Sequence, residues 1–372
     1  MVYYGLVIWI FLVASICFCR RGKINFKKNK NIFMFLSFAA IVIVLGMRDQ
    51  TVGVDTQNYY NIFSNVARTP FLEIIKHFYF LTIEVGYIVL MKVVSIFGNY
   101  YLFQMVVSII TCGLFLKFIK DNMENDFLGV ILFLGLDTYL LLFNISRQML
   151  AVALIVNYWT YLKFGKKIKA FVLLLCAGFI HTTAWIFVVF WFVYFIRNNK
   201  FFIRILPMVG VLIIFSYEKV LDAVALIVPH YANYYGNHKT ILEAGFSMVI
   251  WCIITIISIV LIIKNIKDVK KENKKIIVAQ RKIALNWNVE TYLYAGFSLF
   301  YVASNVIGLS FNYFERLGCY FVPFAMISFE RFGMQIKNII IRRMYFCGVI
   351  VCFVIYFILS TKTDQYLYQF FW

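Results

Sequence analysis

Four arginines lie outside the dense basic clusters of the chain, and three of them border long apolar stretches: Arg48, Arg147 and Arg316. A charge close to the apolar zone of a membrane is costly, so its presence usually marks a functional residue. The guanidinium group is planar and permanently charged, and its forked N–H groups match the oxygen atoms of a phosphate. The placement of these arginines therefore predicts a binding site for an anionic, phosphate-bearing substrate.

Arg48 opens a dense polar run that extends to Tyr60 and directly follows an apolar stretch. Within this run, Gly53 permits a tight turn, and Asp55 or Thr56 can cap the helix that the following residues predict. The run has two interpretations. Either Arg48 and Asp55 belong to a functional site, or Arg48 contacts lipid headgroups and Asp55 serves only as a helix cap.

Arg147 stands in the segment Asn144-Ile145-Ser146-Arg147-Gln148, which separates two apolar stretches with almost no loop. Ser146 is positioned to cap the second helix, which places Arg147 near the N-terminus of that helix. A cation there opposes the helix dipole, so the placement is unfavourable for the fold alone. Free backbone N–H groups together with a guanidinium suit a phosphate. The alternative is a contact with a lipid headgroup.

Three side chains are candidates for a general base: Glu84, Asp55 and His181. Glu84 begins a short apolar segment, where a carboxylate is either the structural partner of an arginine or a base. His181 lies midway through an apolar stretch, where a single histidine is more often a packing residue. A base must lie within hydrogen-bond reach of the proton that it removes, so the choice among the three depends on the fold.

The elements that position these residues follow from the composition of the chain. Of its 372 residues, 63% are hydrophobic and 14% are charged, whereas about a quarter of the residues in soluble domains are charged. Uncharged runs such as residues 31–47, 245–263 and 344–360 approach the ~20 residues that cross a hydrocarbon core. Because the backbone in lipid must satisfy its own hydrogen bonds, these runs predict helices, and the alternation of a β-barrel is missing. The predicted fold class is an all-α polytopic membrane protein, with residues 1–372 forming one transmembrane domain.

The formal net charge is +19, which in a soluble protein would suggest nucleic-acid binding. Here the Lys and Arg residues cluster in short segments between apolar runs. They are interpreted as signals that face the cytoplasm and anionic membrane lipid, and no nucleic-acid partner is expected. The eight cysteines follow no metal-ligand spacing, and they predict neither a zinc site nor a disulfide.

The positive-inside rule places the basic clusters in the cytoplasm, and the apolar runs must alternate between them. About twelve spans result, at residues 2–19, 31–47, 101–118, 127–143, 147–162, two within 168–197, 202–216, 245–263, 291–309, 318–333 and 344–360. A further crossing at residues 84–97 would move the later basic clusters to the outer side. These residues are therefore predicted to form a helix that lies on or dips into the outer face without crossing. The three arginines then gather on the outer side of the membrane.

At these residues the sequence resembles the Wzy/EpsG-type polysaccharide polymerases. The likeness rests on short segments that follow one another along most of the chain: Gly46-Met47-Arg48, Val52-Gly53-Val54-Asp55-Thr56 with Tyr59, Glu84-Val85-Gly86-Tyr87, Ser146-Arg147-Gln148 with Ala151, His181-Thr182-Thr183-Ala184, and Arg316 with Tyr320. The first of these elements is the most specific, and the order of the others strengthens the match.

The resemblance implies a fold like that of the C-type glycosyltransferases and a donor linked to undecaprenyl diphosphate. Such enzymes join oligosaccharide repeat units outside the inner or plasma membrane, as in capsule and exopolysaccharide biosynthesis. They transfer the growing chain from its lipid diphosphate to a new lipid-linked unit, and neither a metal nor another cofactor is expected. The expected partners are the lipid-linked donor and acceptor, with the chain-length regulator and flippase of the same pathway.

Mapped onto this chain, the implied chemistry gives each candidate residue a role. Diphosphate binding is expected of the three arginines, and proton removal from the acceptor hydroxyl is expected of one catalytic residue among Glu84, Asp55 and His181. Two other functions stay open. A glycan ligase would use similar outer arginines but make a single transfer. A transporter of lipid-linked oligosaccharide would need cations along a path through both leaflets, and charges within the predicted spans are scarce.

Overall fold

The computed structural model describes residues 1–18, 26–76, 83–197, 245–272, 278–309 and 312–372, with single residues and short pieces between 199 and 219. Within these ranges the chain is helical, and one isolated antiparallel β-bridge joins Arg48 to Phe370. The prediction of an all-α protein is confirmed for this part of the chain.

The described chain divides into two compact units, residues 1–189 with 347–372 and residues 190–346. The first begins with ten helices: α1 (Val2–Phe18), α2 (Phe26–Gly46), α3 (Thr56–Arg68), α4 (Phe71–Lys76), α5 (Val85–Ser95), α6 (Tyr100–Asn122), α7 (Asp126–Gly135), α8 (Thr138–Asn144), α9 (Ser146–Lys163) and α10 (Lys167–Ile180). The 3₁₀ helix Thr182–Val188 follows them. The remaining helices are α11 (Val189–Ile196), α12 (Phe246–Glu272), α13 (Val278–Gly308), α14 (Asn312–Gly318), α15 (Val322–Met334) and α16 (Ile339–Ser360).

Four of the described helices are long and apolar enough to cross a membrane, at Lys28–Gly46, Tyr100–Asn122, Phe246–Asn265 and Ile339–Ser360. Shorter apolar helices accompany them, so the chain is membrane-embedded. The predicted number of about twelve spans is not confirmed. The span predicted at 202–216 falls largely outside the described residues.

The span predicted at 127–143 is divided into two helices. α7 and α8 are bent by 46° at their junction, and they give a fifth candidate span if the pair counts as one. Asp137 lies at this bend with φ 57°, in the left-handed region. Only Gly, and occasionally Asn or Asp, adopts that conformation at low cost, so an α-helix does not continue through this position.

The helix predicted over 84–97 is α5, which is shorter than predicted. Its 11 residues rise ~16 Å at 1.5 Å per residue, about half of a hydrocarbon core. α5 packs against α3, α6 and α10. The side chains at this junction include Tyr59, Phe63, Tyr87 and Phe103, which are buried in one apolar cluster.

The first unit is built around α9, whose side chains are buried from Gln148 to Thr160 on every side of the helix. A helix that is apolar all round belongs in an interior rather than at a surface. α9 packs against α6 and α10, and Asn157 in its centre donates to the Leu114 and Ala153 carbonyls at 2.8 Å each. This central helix carries Arg147 at its N-terminal end.

The second unit has its own buried contacts among α12, α13 and α15. The Ser298 and Ser328 hydroxyls lie 2.9 Å apart. Arg331 forms an ion pair with Glu290 at 3.2 Å and donates to the Thr291 hydroxyl at 2.8 Å. The two serine hydroxyls are buried and contact each other, as buried polar groups must, whereas the ion pair is only partly buried.

Candidate active site

The antiparallel pair α9 and α10 brings two of the predicted residues to one end of the first unit. Arg147 lies at the start of α9 and His181 directly follows α10. The turn between the helices is tight, because Gly165 adopts φ 72° and the Lys166 N–H donates to the Tyr161 carbonyl at 2.9 Å. The ends of the two helices opposite this turn therefore meet, although more than one helix length of sequence separates them.

Glu84 reaches the same place because α5 approaches α10 very closely. A Cβ atom added to Gly86 would lie 2.7 Å from the Phe179 carbonyl oxygen. Such an approach requires glycine, since any larger residue would push the backbones apart. Glycine at this position allows the residue just before α5, Glu84, to lie beside the end of α10.

The Glu84 carboxylate joins three residues. Its Oε2 lies 2.6 Å from Nη1 of Arg147, and its Oε1 lies 2.9 Å from Nδ1 of His181. The backbone N–H and the hydroxyl of Thr182 donate to the same Oε1 at 3.0 and 3.2 Å. Burial raises the pKa of the Glu84 carboxyl, but the His181 and Thr182 hydrogen bonds and the Arg147 charge outweigh burial and lower this pKa from 4.5 to about 2.

The His181 ring is oriented by this contact. His181 is 9% exposed, and its backbone between α10 and the 3₁₀ helix is extended. A neutral imidazole that donates its proton from Nδ1 has a free lone pair at Nε2. Within the part of the chain that the structure describes, no hydrogen bond to Nε2 is found. The geometry therefore leaves Nε2 able to accept a proton.

The Arg147 guanidinium is not fully used by its ion pair with Glu84. Its Nε is buried and has no hydrogen-bond partner among the described residues. The preceding Ser146 was predicted to cap α9, but Ile145 occupies the N-cap position, and the Ser146 hydroxyl lies 3.1 Å from the Tyr87 hydroxyl. In the sequence Tyr87 is only a motif residue beside Glu84, and its contact with Ser146 depends on the packing of α5 against the start of α9.

Arg48 lies apart from this cluster and is 3% exposed. Its guanidinium donates to the carbonyls of Leu45, of Val52 at 3.3 Å and of Phe143 at 3.5 Å, and it stacks 5.0 Å from the Phe143 ring centroid. Among the described residues no carboxylate pairs with Arg48. It therefore ties the end of α2, the following loop and the end of α8 together.

A small cavity connects Arg48 with Tyr87 and Ser146, and it has room for about one water molecule. Gln104 and Thr111 also line it. Arg48 and the Tyr87–Ser146 pair thus line the same small cavity, and Ser146 directly precedes Arg147 in the chain.

The loop after α2 packs directly on the junction of α8 and α9. Gly53 has φ 98°, and a Cβ atom there would lie 2.2 Å from the Phe143 carbonyl oxygen. The hydroxyl of Thr56 lies 3.0 Å from the same oxygen. Asp55 occupies the predicted N-cap position of α3, but its side chain makes no capping hydrogen bond. The Asp55 carboxylate is half-buried and has no partner among the described residues.

Arg316 belongs to the second unit. It lies in the short helix α14, where its side chain is exposed. The structure thus brings Glu84, Arg147 and His181 together, places Arg48 and Asp55 in the adjoining loop, and presents Arg316 on a separate unit. Within the described residues, no group of three His, Cys, Asp or Glu side chains is arranged to hold a metal ion.

The apolar helices and the polar cluster define a membrane-embedded α-helical protein with a titratable site at one end of a helical hairpin. The sequence model of the EpsG family matches residues 31–372, so the chain belongs to the EpsG family. This membership supports a function of the membrane polysaccharide polymerase type. Comparisons with curated proteins and with solved structures found no match.

Proposed function

We propose that this protein is a polysaccharide polymerase that joins oligosaccharide repeat units linked to undecaprenyl diphosphate on the outer face of the cell membrane. The observation that carries the proposal is the contact of Glu84 with both Arg147 and His181. This contact holds a proton acceptor and an anion-binding group side by side, as glycosyl transfer from a lipid diphosphate requires. Family membership supports the same class of reaction.

In the proposed reaction, Nε2 of His181 removes the proton from the acceptor hydroxyl. The hydroxyl oxygen forms a bond to the anomeric carbon of the donor chain, and the bond from that carbon to the diphosphate oxygen breaks. The electron pair leaves with the lipid diphosphate, whose negative charge Arg147 stabilises as it develops. Glu84 stabilises the imidazolium that forms, and the proton later passes to solvent.

Glu84 is better suited to orient these groups than to act as the base. A general base works best when its pKa lies near the operating pH, whereas the pKa of this carboxyl is about 2. The role of Arg48 is to hold the loop in place, and its buried guanidinium contributes positive potential without touching the substrate. Arg316, exposed on α14, is the candidate for a further diphosphate contact.

The test is chain growth by the purified protein in nanodiscs supplied with lipid-linked repeat units, with the products separated on a gel. We expect a ladder from the wild type and no ladder from Arg147→Ala. Arg68→Ala is the matched control, because Arg68 is an exposed arginine at the end of α3, and its ladder should be unchanged. A normal ladder from a folded Arg147→Ala protein would refute the assigned phosphate site.

The same assay separates the candidate bases and the rival functions. We expect His181→Asn to lower the rate by about 100-fold or more, the usual contribution of a general base, and Asp55→Asn to have a smaller effect. The reverse order would make Asp55 the base. A single added unit instead of a ladder would indicate a ligase, and substrate movement across liposomes without glycan growth would indicate a transporter.

A further inference from the structure

The last residues of the chain lie across the loop that follows α2. The backbone N–H of Asp49 donates to the Gln369 carbonyl at 2.9 Å, and the N–H of Gly53 donates to the Gln365 carbonyl at 2.9 Å. These bonds pair the C-terminal segment with the loop that bears Asp55. The loop's backbone conformation therefore depends on a segment from the opposite end of the chain.

Aromatic side chains hold the C-terminal segment in this place. The Tyr368 hydroxyl donates to the Val44 carbonyl near the end of α2 at 2.9 Å. The ring of Phe371 stacks on Tyr101 of α6, with centroids 4.5 Å apart. The segment is thus anchored on two helices at its far end, and it is not a loosely attached tail.

Tyr366 connects the same segment to the start of α9. Its hydroxyl accepts a hydrogen bond from Nδ2 of Asn144 at 2.9 Å, and Oδ1 of Asn144 accepts one from the Val54 N–H at 2.9 Å. Tyr366 is 6% exposed. A single amide side chain at the end of α8 therefore joins the loop, the C-terminal segment and the junction that precedes Arg147.

We propose that residues 365–371 are a positioning element of the active site, in which Tyr366 acts through Asn144 on Arg147; this rests on the proposed function. Only Ile145 separates α8 from α9, so a displacement of Asn144 passes directly to the first turn of α9. A misplacement of about 1 Å in a catalytic group is enough to lower a rate strongly. Tyr366 itself is a positioning residue, since its hydroxyl is engaged by Asn144.

The first experiment compares chain-growth kinetics of Tyr366→Phe with those of Tyr345→Phe. Each substitution removes one tyrosine hydroxyl hydrogen bond; that of Tyr345 goes to the Phe329 carbonyl at 3.0 Å in the second unit. We expect kcat of Tyr366→Phe to fall about fivefold, the effect of about one neutral hydrogen bond, with KM for the acceptor unchanged. The control should retain its kcat. Adding Tyr366→Phe to Asn144→Ala should not lower kcat further, since both substitutions remove the same contact.

The second experiment measures amide hydrogen exchange in the peptide that covers residues 49–54, before and after deletion of residues 364–372. Faster exchange after deletion is expected, because the N–H groups of Asp49 and Gly53 lose their acceptors. Unchanged exchange, or a kcat of Tyr366→Phe equal to that of the control, would overturn the proposal. A wild-type protein that makes no ladder would refute the proposed function instead, while the exchange result would still decide whether the segment holds the loop.

Discussion

At the scale of single residues, the contacts of Glu84 indicate a different role for each candidate side chain. Both of its oxygen atoms are engaged, one by Arg147 and the other by His181 and Thr182. A carboxylate in this position fixes the imidazole orientation and keeps the guanidinium beside it. The sequence allows two interpretations of Glu84, as the structural partner of an arginine or as a general base, and the geometry favours the first.

The low pKa of Glu84 predicts how stability depends on pH. Because this pKa falls from 4.5 to about 2 on folding, its contribution to stability is fully present above pH 4.5 and is lost as the pH falls towards 2. We expect the melting temperature of the wild type to exceed that of Glu84→Gln above pH 5, and the difference to shrink as the pH falls from 4.5 towards 2. Thermal unfolding in detergent across this range is the measurement. A difference that shrinks already between pH 8 and 6 would contradict the assigned ionisation.

Arg48 shows why a residue type alone does not fix a role. Its sequence position predicts a phosphate ligand, yet in the structure its guanidinium is 3% exposed and occupied by carbonyl groups. Arg147 is of the same residue type and keeps a donor without a partner among the described residues. The difference lies in what surrounds each guanidinium, because five N–H donors can be satisfied by protein or by substrate.

At the scale of elements, two close approaches position the site: α5 on α10 through Gly86, and the loop after α2 on α8 through Gly53. Each of these approaches excludes a side chain. The left-handed conformation at Gly53 adds a second requirement for glycine, since a Cβ atom in that region is strained.

Substitution of Gly53 should therefore lower the free energy of unfolding more than substitution of a glycine that is required only for its positive φ angle. Gly165 is the matched control, because its φ is 72° but a Cβ atom there would meet open space. We expect Gly165→Ala to lower stability by about 1 kcal/mol and Gly53→Ala by at least about 2 kcal/mol. Denaturation of the solubilised variants measures both losses of stability. Equal losses would show that the backbone at Phe143 moves away from an added Cβ atom at little cost.

At the scale of the whole molecule, the direction of α9 and α10 determines which side of the membrane each functional group faces. The basic turn between them lies at one end of the pair and His181 at the other. If the positive-inside rule holds here, the turn faces the cytoplasm and the polar cluster faces outwards.

Cysteine labelling tests this orientation. In a variant that lacks the eight native cysteines, Thr183→Cys should react with a membrane-impermeant maleimide from outside intact cells, whereas Lys166→Cys should react only after permeabilisation. Both positions are exposed in the structure. The opposite labelling pattern would place the cluster in the cytoplasm and would exclude polymerisation on the outer face.

The sequence by itself determined the features that depend on local composition. Uncharged apolar runs and basic clusters predicted a helical membrane protein, because backbone groups in lipid must pair within helices or closed β-barrels and the alternation of a barrel is missing. The ordered motifs around Arg48, Glu84, Arg147 and His181 indicated the polymerase family, which the match over residues 31–372 confirms. The break at Asp137 was not predicted, since a single left-handed residue leaves little signal in an otherwise apolar run.

Only the tertiary structure decided which of these residues meet. Glu84, Arg147 and His181 are far apart in the chain, and their contact depends on how α5, α9 and α10 pack. The contact between the C-terminal segment and the loop after α2 joins residues that are still farther apart in the sequence. Apolar periodicity records that a helix face is buried but not which helix covers it, because many partners bury the same area equally well. Close approaches at glycine and the geometry of hydrogen bonds select among those partners, and both exist only once the chain has folded.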